Sequence, residues 1–520
     1  MAGGVEQEET IGFLSEPRSY GPDVHTVERH ETHGAIVFLA GDRAYKLKRA
    51  VKFPYMDYST VERRRGMCAQ ELAVNRRMAP TLYIDVCPIV RHGTRLRFGT
   101  ATEGASAVDW VVVMRRFDQA ALLESLRRSG GLTTELMRDV AETIARFHAD
   151  AEVRHDFGGE AALRVVIADN TAILESRSGR PFRTESVKHY ERAAPGTVDR
   201  VAALLEERRQ TGHVRRCHGD LHLNNIFVQE GHLVLFDAIE FDDRFAYIDV
   251  LYDLAFLLMD LDRHGLRGHA NALLNRYLEL SGEHTGLAAV PLFLSCRAAI
   301  RAHTAVSAAE TIDDSDRRNQ LLNDACDLLD RAGDYLAEPK PRLVAIGGLS
   351  GTGKTTLARN LAPLLGVCPG AVVIRSDVIR KQLMGVAETV RLPASAYTAA
   401  ISKQVYEQIA DIASKTLASG FMAIADAVYG REDECRDIAD VAHQAGVTFD
   451  GLWLEGQPAI LEQRITARAG DASDATPDVL RAQLGFVTAP KSWGSIKVTA
   501  SPADTLAAAR HLLARRRPIL

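Results

Sequence analysis

The sequence lacks the features of a secreted, disulfide-bonded or zinc-binding protein. Its seven cysteines are scattered, odd in number and never spaced CxxC, which predicts reduced thiols. The opening "MAGGVEQEET" has neither a basic segment nor an apolar core, so no secretory signal is expected. No apolar run approaches the roughly 18 residues of a membrane span. These absences predict a cytoplasmic protein without membrane attachment.

Charge of one sign is not in excess either. The chain has 63 basic and 68 acidic residues and a net charge of -5, which argues against nucleic acid or an anionic membrane as a partner. No stretch interleaves basic and aromatic residues in the manner of an RNA-binding surface. The sequence has no internal repeat or low-complexity tract, and nothing in it supports an oligomer.

The chain is long enough for several domains. Its 520 residues exceed what one hydrophobic core accommodates. Apolar alternation at 35–39 and 44–48 predicts a β-hairpin, followed by a helix that Ser59 or Thr60 caps. We predict an N-terminal lead-in at 1–24, a first domain at 25–336 with a small β-rich lobe (about 25–118) and a helical lobe (about 119–336), a proline-containing linker at 337–342, and a second domain at 343–520.

The stretch "CHGDLHLNNIF", residues 217–227, has the spacing of a phosphoryl-transfer loop. His218, Asp220 and Asn225 fit the pattern HxDxxxxN. In such a loop Asp220 orients or deprotonates an acceptor hydroxyl, and Asn225 binds magnesium. The apolar strand at 233–236 ends in Asp237, which we predict to be the second magnesium ligand.

Upstream residues complete this set. A kinase places a strand lysine on the nucleotide phosphates and holds it with a helix glutamate, and Lys46 and Glu71 occur in that order. Lys48 remains an alternative because it faces the same side of the strand, and Glu71 could be a surface helix residue. The segment 111–117 is predicted to be an edge strand where adenine binds.

The strongest motif lies after the linker. "GGLSGTGKTTLARNL" fits GxxxxGK[ST] between a strand and a helix. Its backbone N–H groups and helix N-terminus suit phosphate, Lys354 suits the β and γ phosphates, and Thr355 suits Mg²⁺. The predicted nucleotide-binding residues of this loop are Gly348, Ser350, Gly351, Thr352, Gly353, Lys354, Thr355 and Thr356.

Further candidates follow the phosphate loop. Apolar strands alternate with helices after 342, which predicts a parallel sheet. Asp377 follows one strand and is a candidate base or a helix cap, Asp426 ends another and is a candidate magnesium residue, and Arg380 is a candidate acceptor contact. Arg464 and Arg468 are candidate nucleotide-binding arginines of a lid, with solvated arginines as the alternative.

Two resemblances follow from these motifs. "HGDLHLNNIF", Lys46, Glu71 and Asp237 resemble the aminoglycoside phosphotransferase and choline kinase branch of the kinase-like fold, over about 25–335. Leu223 and Asn224 replace the usual proline and glycine of that branch, and the hairpin has no GxGxxG. The resemblance implies that Asp249 and Asp253, in "IDVLYDLAFLL", brace the catalytic loop. His218 is kept as a candidate acceptor contact.

The second resemblance concerns residues 341–520. "GGLSGTGKTT", "RSDVIRKQL", "AIADAVYG" and "QRITARAGDASDA" resemble small P-loop kinases of the gluconate kinase and zeta-toxin-like type. The order of the two units resembles a bacterial family of bifunctional fusion proteins. The implied fold is an α+β bilobal kinase-like domain followed by an α/β P-loop domain with a parallel sheet.

The implied function is transfer of phosphate from ATP, with Mg²⁺, to hydroxyl groups of small molecules at two sites. Sugars, amino sugars and aminocyclitols are the expected acceptor class. Two alternatives stay open: one domain is a regulatory nucleotide-binding module, or the substrate is a protein or RNA. Arg297, Arg301 and His303 either line an acceptor pocket or, as we favour at this point, form a surface helix face.

Overall fold

The described residues of the computed structural model fall into two compact units. The first is formed by Met1–Asp260 and Cys296–Asp330, and the second by Leu261–Ser295 and Arg331–Leu520. The structure describes residues 2–32, 34–53, 56–467, 472–499 and 501–515. Arg468, one of the predicted lid arginines, lies outside these residues.

The first unit begins with an antiparallel sheet. Six strands lie in the order β1-β2-β3-β8-β6-β7, and the predicted hairpin is confirmed by the pairing of β2 with β3. The elements of this part are α1 Ala2–Ser15, β1 Val27–Glu31, β2 Ala35–Ala40, β3 Arg43–Lys48, β4 Lys52–Phe53, β5 Met56–Asp57, α2 Val61–Asn75, β6 Tyr83–His92, β7 Arg95–Phe98 and β8 Ala107–Arg115.

Helix α2 begins as the sequence predicts. The Thr60 Oγ1 accepts a hydrogen bond from the Arg63 N–H at 3.3 Å, so Thr60 is the residue that satisfies the first free amides of the helix. The inner face of α2 carries Cys68 and Glu71, both fully buried. Cys68 packs with Trp110 and Val112 of β8 in one hydrophobic cluster. This packing fixes α2 across the sheet.

Two predictions for this region are wrong. The first residues are not a loose lead-in, because α1 packs on the sheet: Leu14 is fully buried beside Phe38. The Gln7 Nε2 donates to Lys48 O and to Asp109 Oδ2, each at 2.9 Å. The segment 111–117 is not an edge strand either. Strand β8 pairs with β3 on one side and β6 on the other, which suits its run of buried valines.

The elements that follow β8, up to residue 334, are mostly helical. The buried, aliphatic face of α8 includes Leu254, Ala255 and Leu258. The elements are α3 Leu123–Ser129, α4 Thr134–Ala149, α5 Gly159–Ser176, α6 Thr184–Gln210, β9 Val214–Arg216, β10 Ile226–Gln229, β11 His232–Leu235, α7 Asp243–Ala246, β12 Tyr247–Asp249, α8 Val250–Arg263, α9 Arg267–Ser281, α10 Val290–Ala309 and α11 Ser315–Asp334.

The second unit contains the predicted parallel sheet. Five strands lie in the order β14-β15-β13-β16-β17, and every neighbouring pair is parallel. The sequence patterns did not predict strand β17. The elements are β13 Arg342–Gly348, α12 Lys354–Leu361, β14 Val372–Arg375, α13 Ser376–Leu383, α14 Ala399–Ala418, β15 Ala423–Asp426, α15 Glu432–Gln444, β16 Thr448–Glu455, α16 Pro458–Thr466, α17 Pro477–Phe486, β17 Gly494–Lys497 and α18 Pro502–Arg515.

The second unit also includes residues from before the predicted linker. Strand β14 is an edge of its sheet, and an edge leaves backbone groups without strand partners. Asn271 and Asn275, one turn apart on α9, supply those partners. The Asn275 Oδ1 accepts from the Val373 N–H at 2.7 Å, and the Asn271 Nδ2 donates to Ala371 O at 3.0 Å. Residues 261–295 therefore group with the parallel sheet, although the predicted division at 337–342 follows the sequence motifs.

The structure contains one stretch that meets the length and hydropathy criteria for a membrane span. Among the described residues it is Thr285–Ala309, and 72% of its apolar window is buried inside the protein. That burial is typical of a core helix. All seven cysteines are free thiols.

The N-terminal helix gives a testable prediction of stability. Replacing Leu14 by Ala removes a fully buried side chain from the cluster on the sheet, so we expect a loss of about 2–4 kcal/mol in the free energy of unfolding. Chemical denaturation measures it. Leu280→Ala is the matched control, since Leu280 is 47% exposed. Equal effects of the two substitutions would contradict the packing of α1.

Candidate active sites

The candidate catalytic loop of the first unit connects β9 to β10. The Asn225 Nδ2 donates to the backbone oxygen of Asp220 at 2.9 Å and to its Oδ2 at 3.2 Å. The predicted base and magnesium ligand are thus in direct contact. Gly219 has φ of 83°, and a Cβ there would lie 2.7 Å from Phe245 O. The left-handed backbone and the close approach of Phe245 O therefore require glycine at this position of the loop.

A buried carboxylate holds this loop. The two Asp253 carboxylate oxygens accept the His218 N–H at 3.0 Å and the Gly219 N–H at 2.8 Å. Burial opposes ionisation of Asp253, but His148 at 3.1 Å outweighs burial and holds its pKa below the usual value. The expected brace is present at this residue.

Asp249 does not brace the loop, and that expectation is wrong. Its two oxygens accept from the Arg208 guanidinium at 2.7 and 2.9 Å. Asp260 braces the loop instead, because its Oδ2 accepts the Leu223 N–H at 3.0 Å. The family resemblance implied a brace from this stretch, but Asp249 ends β12 before α8 begins, whereas Asp260 lies on α8.

His218 is not an acceptor contact. Its side chain is fully buried, its Nδ1 accepts the Asp220 N–H at 3.3 Å, and its Nε2 donates to Phe236 O at 2.9 Å. The Phe236 N–H in turn donates to Asn225 O at 3.1 Å. The imidazole therefore ties the loop to the end of β11 and brings Asn225 and Asp237 to the same edge.

Asp237 has an uncommon backbone conformation. It is one of three described residues other than glycine with a positive φ, at 63°, a conformation that costs free energy and persists where the surroundings impose it. Its N–H donates to the Tyr83 hydroxyl at 3.1 Å, and its side chain remains 41% exposed. A half-exposed carboxylate fixed at a strand end suits a magnesium ligand.

Both candidate lysines reach the predicted glutamate. The Lys46 Nζ lies 2.8 Å from Glu71 Oε1 and 2.5 Å from Asp237 Oδ1. The Lys48 Nζ lies 2.7 Å from Glu71 Oε2 and also contacts Glu240. Burial raises the pKa of the Glu71 carboxyl, but the two ammonium groups outweigh it and lower the pKa to about 2. Glu71 is therefore a buried anion and not a surface helix residue.

The two lysines differ in their other partner. Lys46 meets Asp237, which is half exposed, whereas Lys48 is almost completely buried against Glu240, which also accepts from the Tyr58 hydroxyl at 3.0 Å. Lys46 is the one placed at the predicted magnesium ligand. Glu240 was missed from the sequence, although it follows Asp237 by three residues and a second buried lysine needs its own carboxylate.

Asp220 is held as an anion by its neighbours. Burial raises its pKa, but His222 and Arg301 outweigh burial and bring the pKa below the ordinary value. The His222 Nε2 lies 3.3 Å from Asp220 Oδ2, while its Nδ1 accepts the Asn224 N–H. His222 is a second residue that sequence reasoning missed, and its place in "HGDLH" was the available signal.

Arg297 of α10 does not lie on a surface face, whereas Arg301 and His303 are half-buried. Arg297 is only 6% exposed and lies 3.9 Å from the centre of the Tyr252 ring. His303 is near Asn170 Oδ1, at 3.2 Å. Burial and the nearby Arg177 lower the pKa of His303 to about 4. Helical periodicity could not show that α8 packs over these residues.

The phosphate loop of the second unit connects β13 to α12. Gly348 has φ of 142°, and a Cβ there would lie 2.7 Å from Leu454 O, so this position requires glycine. Helix α12 begins at Lys354, directly after Gly353. The loop amides and the helix N-terminus together present a site for an anion, as the motif predicts.

Side chains around the loop have defined partners. The Lys354 Nζ donates to Gly348 O at 3.0 Å and Leu349 O at 3.1 Å, and the Thr355 Oγ1 donates to Asp426 Oδ2 at 2.6 Å. The two predicted magnesium residues are thus adjacent. The Thr352 Oγ1 donates to Leu349 O at 2.7 Å, and Thr356 is exposed on the first turn of α12.

Gln483 of α17 also contacts this loop. Its Oε1 accepts the Ser350 N–H at 2.9 Å, one of the amides predicted to face phosphate. The Gln483 side chain therefore accepts the hydrogen bond of a backbone amide in the candidate nucleotide site. Sequence reasoning missed this residue, since nothing in "RAQLGF" marks it.

Asp377 lies in the first turn of α13. Burial raises its pKa above that of an ordinary aspartate, and Asp426 adds to the effect, while Lys354 opposes it. A carboxylate with a raised pKa is a better proton acceptor. The capping alternative is not supported, because Arg375 is the N-cap residue of α13 and no described side chain makes a capping hydrogen bond there.

The candidate arginines of this unit have structural partners. The Arg380 Nη1 donates to Ala396 O at 2.8 Å, and the guanidinium lies 4.7 Å from the centre of the Tyr397 ring. The Arg464 Nη2 donates to Thr499 O at 2.7 Å. Arg380 is 8% exposed, so its main role in this structure is to hold the 394–397 turn.

Comparison with known proteins gives two family matches. A sequence model described as "Phosphotransferase enzyme family" matches residues 68–290, and one described as "AAA domain" matches residues 343–490. Uncharacterized proteins of Mycobacterium bovis and Mycobacterium tuberculosis are each 30% identical over 466 residues, which is 88% of this chain and 89% of theirs.

Solved structures match the two regions separately. A choline/ethanolamine kinase family protein from Mesorhizobium loti is 15% identical and covers 64% of this chain and 99% of its own, with a TM-score of 0.38. A gluconokinase from Sinorhizobium meliloti is 20% identical and covers 34% and 93%, with a TM-score of 0.26. An APS kinase from Mycobacterium tuberculosis is 18% identical and covers 34% and 99%, with a TM-score of 0.26.

The fold and the family matches define an enzyme of the kinase class, with a kinase-like phosphotransferase domain followed by a P-loop domain. The chain belongs to the family that includes these mycobacterial proteins. The predicted fold class and the predicted family resemblance are thereby confirmed.

The two lysines of β3 can be separated by experiment. We expect Lys46→Ala to lower the affinity of the first unit for Mg-ATP and to cost less stability than Lys48→Ala, because Asp237 is half exposed and Glu71 keeps Lys48. Lys48→Ala removes the buried cation that pairs with Glu240 and Glu71. We expect it to lower the free energy of unfolding by about 3 kcal/mol.

Calorimetric titration with a non-hydrolysable ATP analogue and chemical denaturation measure the two effects. A Lys354→Ala background restricts the titration to the first unit. Lys52→Ala is the control, since that side chain is 71% exposed. A larger loss of nucleotide affinity in Lys48→Ala than in Lys46→Ala would reverse the assignment.

His303 predicts a pH dependence of stability. Its pKa in the folded protein is about 4, below the usual 6.5, so the unfolded chain binds more protons between these values. The free energy of unfolding therefore falls as pH drops from 6.5 to 4, by on the order of 1–3 kcal/mol from this residue. In His303→Gln the slope should be shallower over that window, while the exposed-residue control His189→Gln keeps it. Identical slopes in both variants would contradict the assignment.

Proposed function

We propose that the protein transfers the γ-phosphate of ATP to hydroxyl groups of small molecules at two separate sites, in the cytoplasm and with Mg²⁺. The proposed acceptors are of the sugar, amino sugar or aminocyclitol class. The observation that carries the proposal is the contact of Asp220 with Asn225, on a loop tied to the strand end that presents Asp237.

In the first unit the proposed roles follow from the contacts. Asp220 remains ionised beside His222, so its carboxylate can accept or orient the acceptor hydroxyl proton. Lys46, held by Glu71, faces the nucleotide phosphates. Asn225 and Asp237 offer oxygen ligands of the kind Mg²⁺ prefers, and the ion when bound neutralises charge on the phosphates.

In the second unit the phosphate loop is the proposed nucleotide site. Lys354 moves from the carbonyls of Gly348 and Leu349 to the phosphates, and Thr355 with Asp426 holds Mg²⁺ or its waters. Asp377, with its raised pKa, is the proposed base. Arg464 is retained as a lid residue in this proposal, and Arg468 as its partner.

Two other functions have weaker support. One unit could bind nucleotide as a regulatory module without turnover, and Gln483 on the Ser350 amide agrees with a resting state of the second site. A protein or RNA acceptor is the other alternative. The net charge of -5 does not favour RNA.

Loss-of-function variants of the full chain test the proposal. With labelled ATP and a bacterial metabolite extract, we expect two sets of labelled products. Asp220→Asn should reduce one set by at least about 100-fold, because it removes the proton acceptor. Lys354→Ala should reduce the other set comparably, because it removes the phosphate-binding cation.

The matched controls are Asp139→Asn and Lys403→Ala, both at exposed positions. They should leave both product sets unchanged. If Asp220→Asn and the wild-type chain yield the same products, the first site does not transfer phosphate. If Lys354→Ala abolishes nucleotide binding without loss of any product, the second unit is a regulatory module.

A further inference from the structure

A group of cationic and aromatic side chains lies between α8 and α10. The guanidinium of Arg297 is 3.9 Å from the Tyr252 ring centre and 4.8 Å from that of Phe256, and Arg301, one turn further along α10, is 5.9 Å from Phe256. The Arg297 Nε also donates to Tyr252 O at 3.2 Å. The faces of both rings are therefore covered by arginine.

This group continues to the candidate base. The His222 ring meets Phe256 edge to face at 5.5 Å, and the His222 Nε2 lies 3.3 Å from Asp220 Oδ2. Phe256 thus contacts both Arg301 and His222, and His222 contacts Asp220. Arg301 is half-buried, whereas Arg297 is buried. Of the two arginines, Arg301 is therefore the one with more solvent-exposed surface.

The neighbouring carboxylates are already engaged. Asp253 accepts two backbone N–H groups of the loop and contacts His148, and Asp260 accepts a third amide. In the described part of the chain no carboxylate forms an ion pair with Arg301. Among the described residues the Arg301 guanidinium therefore has no carboxylate ion-pair partner and can take an anionic group.

We propose that Arg301 binds a carboxylate or phosphate group of the acceptor at the first site, so that this acceptor is an anionic hydroxyl compound. The proposal rests on the proposed function of the same site and narrows its acceptor class. Arginine matches an anionic group with two parallel hydrogen bonds. A cationic acceptor would meet a like charge, and an ammonium group would find both aromatic faces occupied. Arg297 stacks on the Tyr252 ring and donates to Tyr252 O, and these contacts position α10 against α8.

The test uses the full chain with Lys354→Ala, so that only the first site turns over. A metabolite extract is separated by charge into anion-exchange-retained, cation-exchange-retained and unretained fractions, and each is incubated with labelled ATP. We expect label transfer that is lost in Asp220→Asn to fall in the anion-exchange-retained fraction. Transfer confined to either other fraction overturns the proposal.

Variants at Arg301 give the second readout. Arg301→Gln should raise KM for the retained acceptor by about 10-fold or more, the loss expected for one charge-assisted contact, with kcat and affinity for a non-hydrolysable ATP analogue little changed. Arg301→Lys should recover part of the KM, since it restores the charge without the fork. Arg317→Gln, at an exposed position on α11, is the control.

An unchanged KM in Arg301→Gln overturns the proposal. A kcat loss in both Arg301 variants with an unchanged KM also overturns it, since it indicates a structural role. Failure of the proposed function has a different signature, because no fraction then takes label that depends on Asp220.

Discussion

The first unit depends on one buried anion between two cations. Glu71, in the C-terminal part of α2, has no exposed surface, and Lys46 and Lys48 of β3 neutralise its two oxygens. A buried carboxylate without such partners would cost several kcal/mol. Each lysine then reaches the segment after β11, at Asp237 and Glu240. Sheet, helix and metal-ligand segment are thus held by one charge network.

The second unit positions its site by backbone geometry. Parallel strands β13 and β15 end at the same edge, so the loop after one and Asp426 at the end of the other meet without a buried ion pair, through the hydroxyl of Thr355. The two units therefore arrive at similar chemistry by different physical means. One relies on compensating charges, and the other on glycine-permitted turns at a sheet edge.

The sequence predicted those features that depend on a few residues at short, fixed spacings. The contact of Asp220 with Asn225, and the phosphate loop of Gly348 to Thr355, need only a few consecutive residues in the right order. It failed where a residue's role is set by distant packing. Helix α1 buries Gln7 and Leu14 against strands that its own composition does not reveal, and β8 is central because β6 returns beside it.

The same limit explains the errors at the sites. His218 has the right spacing for an acceptor contact, but its imidazole is buried and donates a hydrogen bond to Phe236 O. The family resemblance implied a bracing role for Asp249, but the Arg208 guanidinium of α6 binds its carboxylate. In both cases the partner is remote in the chain. The sequence alone does not show which acid binds a given arginine or in which direction an imidazole points.

The asparagine pair of α9 has a consequence for dissecting the chain. Asn271 and Asn275 cover the free backbone groups at the edge strand β14. A fragment starting at residue 341, where the motifs suggest a cut, would keep the parallel sheet but lose this cover. Its bare edge would be a template for intermolecular strand pairing, so aggregation of such a fragment would report a missing helix and not an unstable nucleotide-binding fold.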